Sequence, residues 1–129
     1  MCIRDRSWTA DLTYSYLSMS DFINPITNAK DPINAPKHKG GIKLQYSPPQ
    51  SKFAGTMSMR YVDKFPWQSG VYFGTIGPYA IFDLHSRYQL MDKAAVLLSV
   101  SNLFNDYHIE IQGGPSLGRL VMLRLEANL

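Results

Sequence analysis

The 129-residue sequence predicts an all-β fold, an antiparallel up-and-down meander of about six strands. The meander reads as part of a larger transmembrane β-barrel that this chain alone does not close. Three observations predict it. Apolar and polar residues alternate with a period of two in one segment after another. The connections between those segments run long, short, long, short, long. Aromatic residues gather toward both ends of the segments, where the two interfaces of a bilayer would lie.

The first segment runs from Trp8 to Ser20. Trp8, Ala10, Leu12, Tyr14 and Tyr16 share one parity, Thr9, Asp11, Thr13 and Ser15 the other, and the pattern frays after Tyr16. Asp21 to Pro36 holds three Pro, three Asn and two Asp without periodicity. It reads as a long loop, because Pro removes ladder donors while Asn and Asp favour turns. Lys39 to Tyr46 alternates again, Ile42, Leu44 and Tyr46 against Lys39, Lys43 and Gln45, until Pro48-Pro49 stops it. Phe53 to Val62 sets Gly55, Met57, Met59 and Tyr61 against Thr56, Ser58 and Arg60. Asp63 to Pro78 is a second long connection, and its Phe65, Trp67, Tyr72 and Phe73 suit strands extended beyond a membrane.

Tyr79 to Leu90 carries Ala80, Phe82, Leu84, Tyr88 and Leu90 against Asp83, His85, Arg87 and Gln89. A tight turn at Met91-Asp92-Lys93 leads to Ala94–Phe104, where Val96, Leu98, Val100 and Phe104 oppose Ala95, Ser99 and Ser101. Asn105 to Gly118 is the third long loop, punctuated by Gly113-Gly114-Pro115. The closing strand is the clearest of all: Val121, Leu123, Leu125, Ala127 and Leu129 alternate with Met122, Arg124, Glu126 and Asn128.

Membrane barrels of this kind have short periplasmic turns and longer outer loops. With the C-terminus on the periplasmic side, the connections at 21–36, 63–78 and 105–118 all fall outside, and those at 47–51 and 91–93 fall inside. The apolar parity then faces lipid, in the last strand through Val121, Leu123, Leu125, Ala127 and Leu129. Lys39, Lys43, Arg60, Asp83, His85, Arg87, Arg124 and Glu126 face the lumen. Trp8, Tyr46, Phe53 and Tyr88 lie near inner ends, and Tyr14, Tyr16, Tyr61, Phe82 and Phe104 near outer ends.

Composition sets bounds. A length of 129 residues is one domain or a piece of one, and no apolar run approaches the roughly 18 residues of a transmembrane helix. A net charge of +3 with both signs interspersed points to no nucleic-acid partner. Cys2 is the only cysteine, which excludes an internal disulfide. Met1 to Arg6 lacks the apolar core of a signal peptide and reads as adapter-like, non-native sequence, leaving residues 7–129 as the domain.

Candidate catalytic features are weak. Gly114-Pro115-Ser116-Leu117-Gly118 matches the nucleophile-elbow pattern, but a loop precedes it, a strand follows it, and no His lies downstream. His38, His85 and His108 fall on three segments without metal-ligand spacing. Asp83, His85 and Arg87 share one face, as a mutually compensating lumen wall would. No cofactor is implied.

One set of segments resembles a known family. Asn34-Ala35-Pro36-Lys37-His38-Lys39, Leu44-Gln45-Tyr46, Arg60-Tyr61-Val62-Asp63, Val100-Ser101-Asn102-Leu103-Phe104-Asn105-Asp106-Tyr107 and Gly118-Arg119 follow in order. They resemble the C-terminal end of TonB-dependent outer-membrane receptors. There Pro36 and His38 would open a strand, and Asn102, Leu103, Phe104, Asn105 and Tyr107 would close the penultimate one. Gly118 and Arg119 would open the last. The family usually ends on an aromatic residue, and this chain ends on Leu129. The resemblance implies a barrel of about 22 strands around a plug, of which this chain would supply about six, with the N-terminal plug and the other strands elsewhere in the receptor.

It further implies energised uptake of a scarce nutrient, of the iron-siderophore, cobalamin or oligosaccharide class, and no enzyme activity. The partners would be outer-membrane lipid, the TonB complex acting through the plug, the barrel-assembly machinery and the nutrient itself. Trp67, Tyr72 and His108, in the outer loops, are conceivable ligand contacts. Two alternatives stay open on the residues alone: another outer-membrane barrel, such as a porin or adhesin anchor, and a soluble β-sandwich binding module.

Overall fold

Period-two alternation leaves each segment one way to satisfy its backbone and sort its side chains, by pairing with a neighbour of matching parity. The computed structural model, which describes residues 2–4, 7–26 and 28–127, shows that pairing. The strands are β1 (Cys2–Arg4), β2 (Trp8–Tyr16), β3 (Asp21–Ile23), β4 (Lys30–Pro32), β5 (His38–Tyr46) and β6 (Phe53–Val62). They continue with β7 (Phe65–Ser69), β8 (Tyr72–Ile76), β9 (Tyr79–Met91), β10 (Ala94–Ser101) and β11 (Leu120–Ala127). One antiparallel sheet has the order β1-β2-β5-β6-β9-β10-β11, and β3-β4 and β7-β8 are separate hairpins.

The six predicted strands are therefore β2, β5, β6, β9, β10 and β11, in a meander, with the short β1 laid on the outer edge of β2. A β-sandwich would need two sheets packed face to face; here a single open sheet carries all six. Residues 1, 5 and 6 of the adapter-like segment, and Asn128 and Leu129 of the expected closing strand, lie outside the described residues.

The register joins like parity to like across every interface. Leu12 pairs with Ile42, Ile42 with Met59, and Met59 with Phe82, so one row of the apolar face crosses four strands. On the opposite face Thr9, Gln45, Thr56, His85, Ser99 and Met122 form an equivalent row across six. The two-residue turn Asp92-Lys93 is followed by a register shift between Ala94 and Ala95, which absorbs one extra residue, Leu90, without inverting either face.

Two of the long connections differ from the expected loops. In the segment 21–36, β3 and β4 pair because Asn24 organises the reversal: its carboxamide accepts from the Ile26 amide at 3.0 Å and donates to Asp31 at 2.7 Å. Asn28, with φ of 53°, supplies the left-handed residue the turn requires. In the segment 63–78, β7 and β8 form a hairpin that turns at Gly70, φ 58°, so the strand extension expected from the aromatics is present. A third adjustment concerns the strand predicted over 94–104. It ends at Ser101, because Asn102 adopts φ 55° and leaves the extended conformation.

The buried core is small and lies at the long-loop end of the sheet. Val62, Tyr79 and Ile81, all on the polar parity of β6 and β9, pack with Phe65 and Ile76 of the β7-β8 hairpin, flanked by Trp67 and Ile109. The polar face is thus dry at this end, where the hairpin and the 105–118 segment cover it. Gly74 makes room for that covering layer, since a Cβ there would lie 2.9 Å from the Gln112 side chain. The apolar face has no such cover: Leu12 is 50% exposed and Leu125 74%.

Ile76 is fully buried in this core. Ile76→Ala should cost about 2–5 kcal/mol locally. Hydrogen exchange should then show faster amide exchange in β7 and β8, with protection across β9-β10 retained.

Candidate functional site

The two faces of the sheet place the candidate residues in separate environments. On the polar face Lys43 stands in a row with Asp11, Ser58 and Asp83, and Arg60 stands beside Gly41 and Ile81. Arg87 and Arg124 flank Leu97 in a further row, with Glu126 next to it. Glu126 joins the two cations, at 3.8 Å from Arg87 and 3.3 Å from Arg124. All three side chains are substantially exposed, so each ion pair contributes little and the group is a solvated, partly compensated patch.

Asp83, His85 and Arg87 do not act on one another. Asp83 accepts the Asn102 amide at 3.0 Å, His85 Nδ1 lies 2.7 Å from the Ser99 hydroxyl, and Arg87 reaches Gln89 and Glu126. The His85–Ser99 pair was not predicted from sequence, although two residues on adjacent strands with matched parity could have suggested it. It has a hydroxyl and an imidazole, but Asp83, which would have to orient the imidazole in a triad, is bonded elsewhere. Ser116 of the nucleophile-elbow match sits in the 105–118 segment beside the isolated His108–Leu117 bridge, with no helix after it.

On the apolar face the aromatics form two bands. At the short-turn end Trp8 and Tyr46 lie 4.7 Å apart, Tyr46 and Phe53 6.4 Å apart, and Phe53 pairs in register with Tyr88. At the long-loop end the Tyr14 hydroxyl is 2.7 Å from His38 Nδ1, the Tyr16 ring lies tilted with its centroid 5.1 Å from that of the same imidazole, and Phe82 meets Phe104 edge-on at 4.9 Å. His38 thereby belongs to an aromatic band, a placement its spacing alone did not reveal. Just before it, between Pro36 and His38, the Lys37 carbonyl accepts the Leu17 amide at 2.8 Å and closes the chain onto β2. Val121, Leu123, Leu125 and Ala127 of β11 all fall on the apolar face, paired with Val100, Leu98, Val96 and Ala94.

The remaining motif residues converge on one knot. Asn102 is 4% exposed, and its carboxamide clamps Asp106 from both sides, donating to the carbonyl at 2.8 Å and accepting the amide at 2.9 Å. The Leu103 amide donates to the Phe82 carbonyl at 2.7 Å. Asn105, φ 57°, accepts the Arg119 amide on its side chain at 2.8 Å, and the Arg119 guanidinium approaches the Leu103 carbonyl at 3.5 Å. Tyr107 closes over Gly118, where a Cβ would lie 3.0 Å from the ring. The motif is therefore a fastening between the exit of β10 and the entry of β11.

The conjectured loop contacts divide. His108 stacks on Tyr79 at 4.5 Å, and its imidazole approaches Glu110, which also meets Arg60 at 3.2 Å. Trp67 packs at the small core, while Tyr72 is 58% exposed. Two of the three serve packing within the long-loop end.

Asn102→Ala removes both clamp bonds and a residue suited to positive φ, at a cost of about 2–4 kcal/mol. Asn102→Gly keeps the backbone but not the clamp. Amide exchange in β10 and β11 should accelerate in both variants, and more in Ala than in Gly.

Comparison with known proteins agrees with this geometry. No curated protein matches the chain. The sequence profile described as TonB dependent receptor-like, β-barrel matches residues 4–103. Among solved structures, FpvAI in complex with pyocin S2 is similar at 18% identity and a TM-score of 0.72, covering 94% of this chain and 18% of that one. P. aeruginosa FpvA bound to a heterologous pyoverdine is similar at 17% identity, TM-score 0.68, covering 94% and 17%. A mutant ferric enterobactin receptor, PfeA, from Pseudomonas aeruginosa is similar at 17% identity, TM-score 0.69, covering 95% and 20%. The chain thus spans about a fifth of the length of these structures. Profile and architecture together show that the chain belongs to the TonB-dependent receptor-like β-barrel family, a family of the Gram-negative outer membrane.

Proposed function

We propose that the chain forms part of the wall of an outer-membrane receptor that imports a scarce nutrient. The observation that carries this reading is the unbroken sorting of side chains across six strands, apolar on one face between two aromatic bands and polar on the other. A sheet with one such face suits a bilayer, whose hydrocarbon accepts Leu12, Leu123 and Leu125 as readily as a protein core would. The polar face, with Lys43, Arg60, Asp83, His85, Arg87, Arg124 and Glu126, lines the lumen. In this orientation the turns at 47–51 and 91–93 face the periplasm.

In this reading a plug elsewhere in the receptor fills the lumen, and the TonB complex rearranges it to let the nutrient pass. The wall changes no covalent bond in its cargo. Siderophore complexes lead the nutrient classes considered, because the similar structures include a ferric enterobactin receptor and FpvA bound to pyoverdines. Family membership sets the porin and adhesin alternatives aside.

The face assignment has a direct test. In the complete receptor Leu125→Arg should destabilise the barrel by about 2–4 kcal/mol near the bilayer midplane, seen as reduced heat-resistant barrel in outer-membrane fractions. Arg124→Ala, on the opposite face, should leave assembly unchanged; sensitivity to Arg124→Ala with indifference to Leu125→Arg would reverse the assignment. Nutrient uptake by the wild-type receptor should stop when TonB is deleted.

A further inference from the structure

One glycine inside the sheet is required neither by its backbone nor by its neighbours. Gly40, in the interior of β5, lacks the positive φ that sets Gly70 and Gly113 apart. A Cβ at Gly41 would come within 3.1 Å of the Thr13 hydroxyl, and one at Gly55 within 3.3 Å of the Phe53 ring. At Gly40 the nearest atom, the Thr13 carbonyl oxygen, is 3.5 Å away, an ordinary contact. A side chain would fit, and a strand is weaker without one. Its absence opens a groove of about 350 Å³ on the apolar face, lined by Leu12, Tyr14, Ile42, Met59 and Tyr61 among others.

Tyr14 and Tyr61 are the register partners of Gly40 on β2 and β6. Their strands stand about 10 Å apart, two interstrand spacings, so the rings leave between them the width of one hydrocarbon chain. Ile42, between Leu12 and Met59, continues the groove toward the middle of the sheet. The β7-β8 hairpin packs on the other face, and Tyr14 stays 67% exposed.

The end of the groove toward the long loops is polar. His38, two residues before Gly40 on the same face, holds the Tyr14 hydroxyl at Nδ1. With that hydroxyl donating, Nε2 carries the ring N–H and is a donor. Lys37 precedes His38, and the Asp63 amide donates to the His38 carbonyl at 3.0 Å, bringing Lys64 to the same rim. Lys37, Lys64 and Asp63 line one depression there, two cations to one carboxylate. Lysines lay their stems along apolar surface and carry their charge to an interface. An apolar slot one chain wide, ending in donors and excess positive charge, complements an acyl chain joined to a phosphate headgroup. A second copy of this sheet would present a face too broad to enter it.

In the receptor orientation proposed above, the polar end lies at the outer interface and the slot runs into the outer leaflet. We infer that the Gly40 groove seats one phosphorylated lipid of that leaflet, its acyl chain over Gly40 and its phosphate at His38, Lys37 and Lys64. The inference rests on the membrane-wall reading and goes beyond it, since this lipid is a bound ligand rather than solvent.

The test uses the complete receptor that carries this chain, purified in detergent and titrated with dioleoyl phosphatidylglycerol, bound lipid being counted by native mass spectrometry. Gly40→Leu should weaken the tightest binding step about tenfold or more, through the methylene contacts it displaces. Gly40→Ala, the smallest filling, should fall between Gly40→Leu and the wild type, and it reports on the groove even where leucine disturbs assembly. Lys37→Gln with Lys64→Gln should weaken phosphatidylglycerol severalfold and leave dioleoylglycerol, which has no phosphate, unaffected. Ala127→Leu, on the same face of the distant β11, should change neither. Phosphatidylglycerol binding indifferent to the Gly40 variants or to the lysines, or weakened equally by Ala127→Leu, overturns the seat, as does a receptor dimer that Gly40→Leu dissociates. Heat-resistant barrel in outer-membrane fractions is measured on the same proteins. A wild type that assembles and gives any of those results sinks the seat alone, whereas a wild type that does not assemble sinks the receptor reading itself.

Discussion

Strand register is the constraint on which everything else in this chain depends. In a two-sided sheet a slip of one residue moves every apolar side chain to the polar face. The pairing seen here keeps Leu12, Ile42, Met59 and Phe82 in one line and Asp11, Lys43, Ser58 and Asp83 in the next. Had β5 slipped by one against β2, Lys43 would stand among the leucines. In the reading proposed above that apolar face meets lipid, where a lysine near the midplane costs about 2–4 kcal/mol, so the slipped register is disfavoured.

Tight turns hold register where connections are short, but three connections here are too long for their geometry to transmit it. Side-chain amides do that work instead. Asn34 brackets Gln68 with bonds of 2.7 and 2.9 Å and so ties the 21–36 connection to β7. Asn102 brackets Asp106 in the same reciprocal way, and Asn105 binds the first amide leading into β11. An asparagine suits this task because its carboxamide both donates and accepts, and because it tolerates positive φ better than other residues with a Cβ. The small core around Ile76 adds a second fastening, burying part of the loop end against β6 and β9.

These layers differ in how far they could be read from the sequence. The six long strands and the sorting of their faces were legible, because period-two alternation is a local pattern that pairing only confirms. Residues such as Lys43, Arg124 and Leu125 fall on the faces their parity assigns. The β3-β4 hairpin was hidden by Pro25 and Pro32, which read as breakers, although Pro32 occupies a strand without a second partner. The role of Asn102 was hidden for another reason: its partners, Asp83 and Asp106, come from an adjacent strand and a loop, and no periodicity links them. His38 shows the same limit, since its bond to Tyr14 spans 24 positions in the chain.

Under the receptor reading proposed above, the division between faces and fastenings suits one sheet to two solvents. Apolar side chains on that face need no polar partners, and Leu123 and Leu125 stand exposed there beside Leu98 and Val96. Specific contacts are concentrated at the long-loop end, where water competes for every hydrogen bond and packing must supply order: the Asn clamps, the His108–Tyr79 stack and the Ile76 core all lie there. The short-turn end relies on aromatic rings and two brief turns. A sheet built in this way keeps its strand order across one uncovered apolar face while its long-loop rim holds a defined shape.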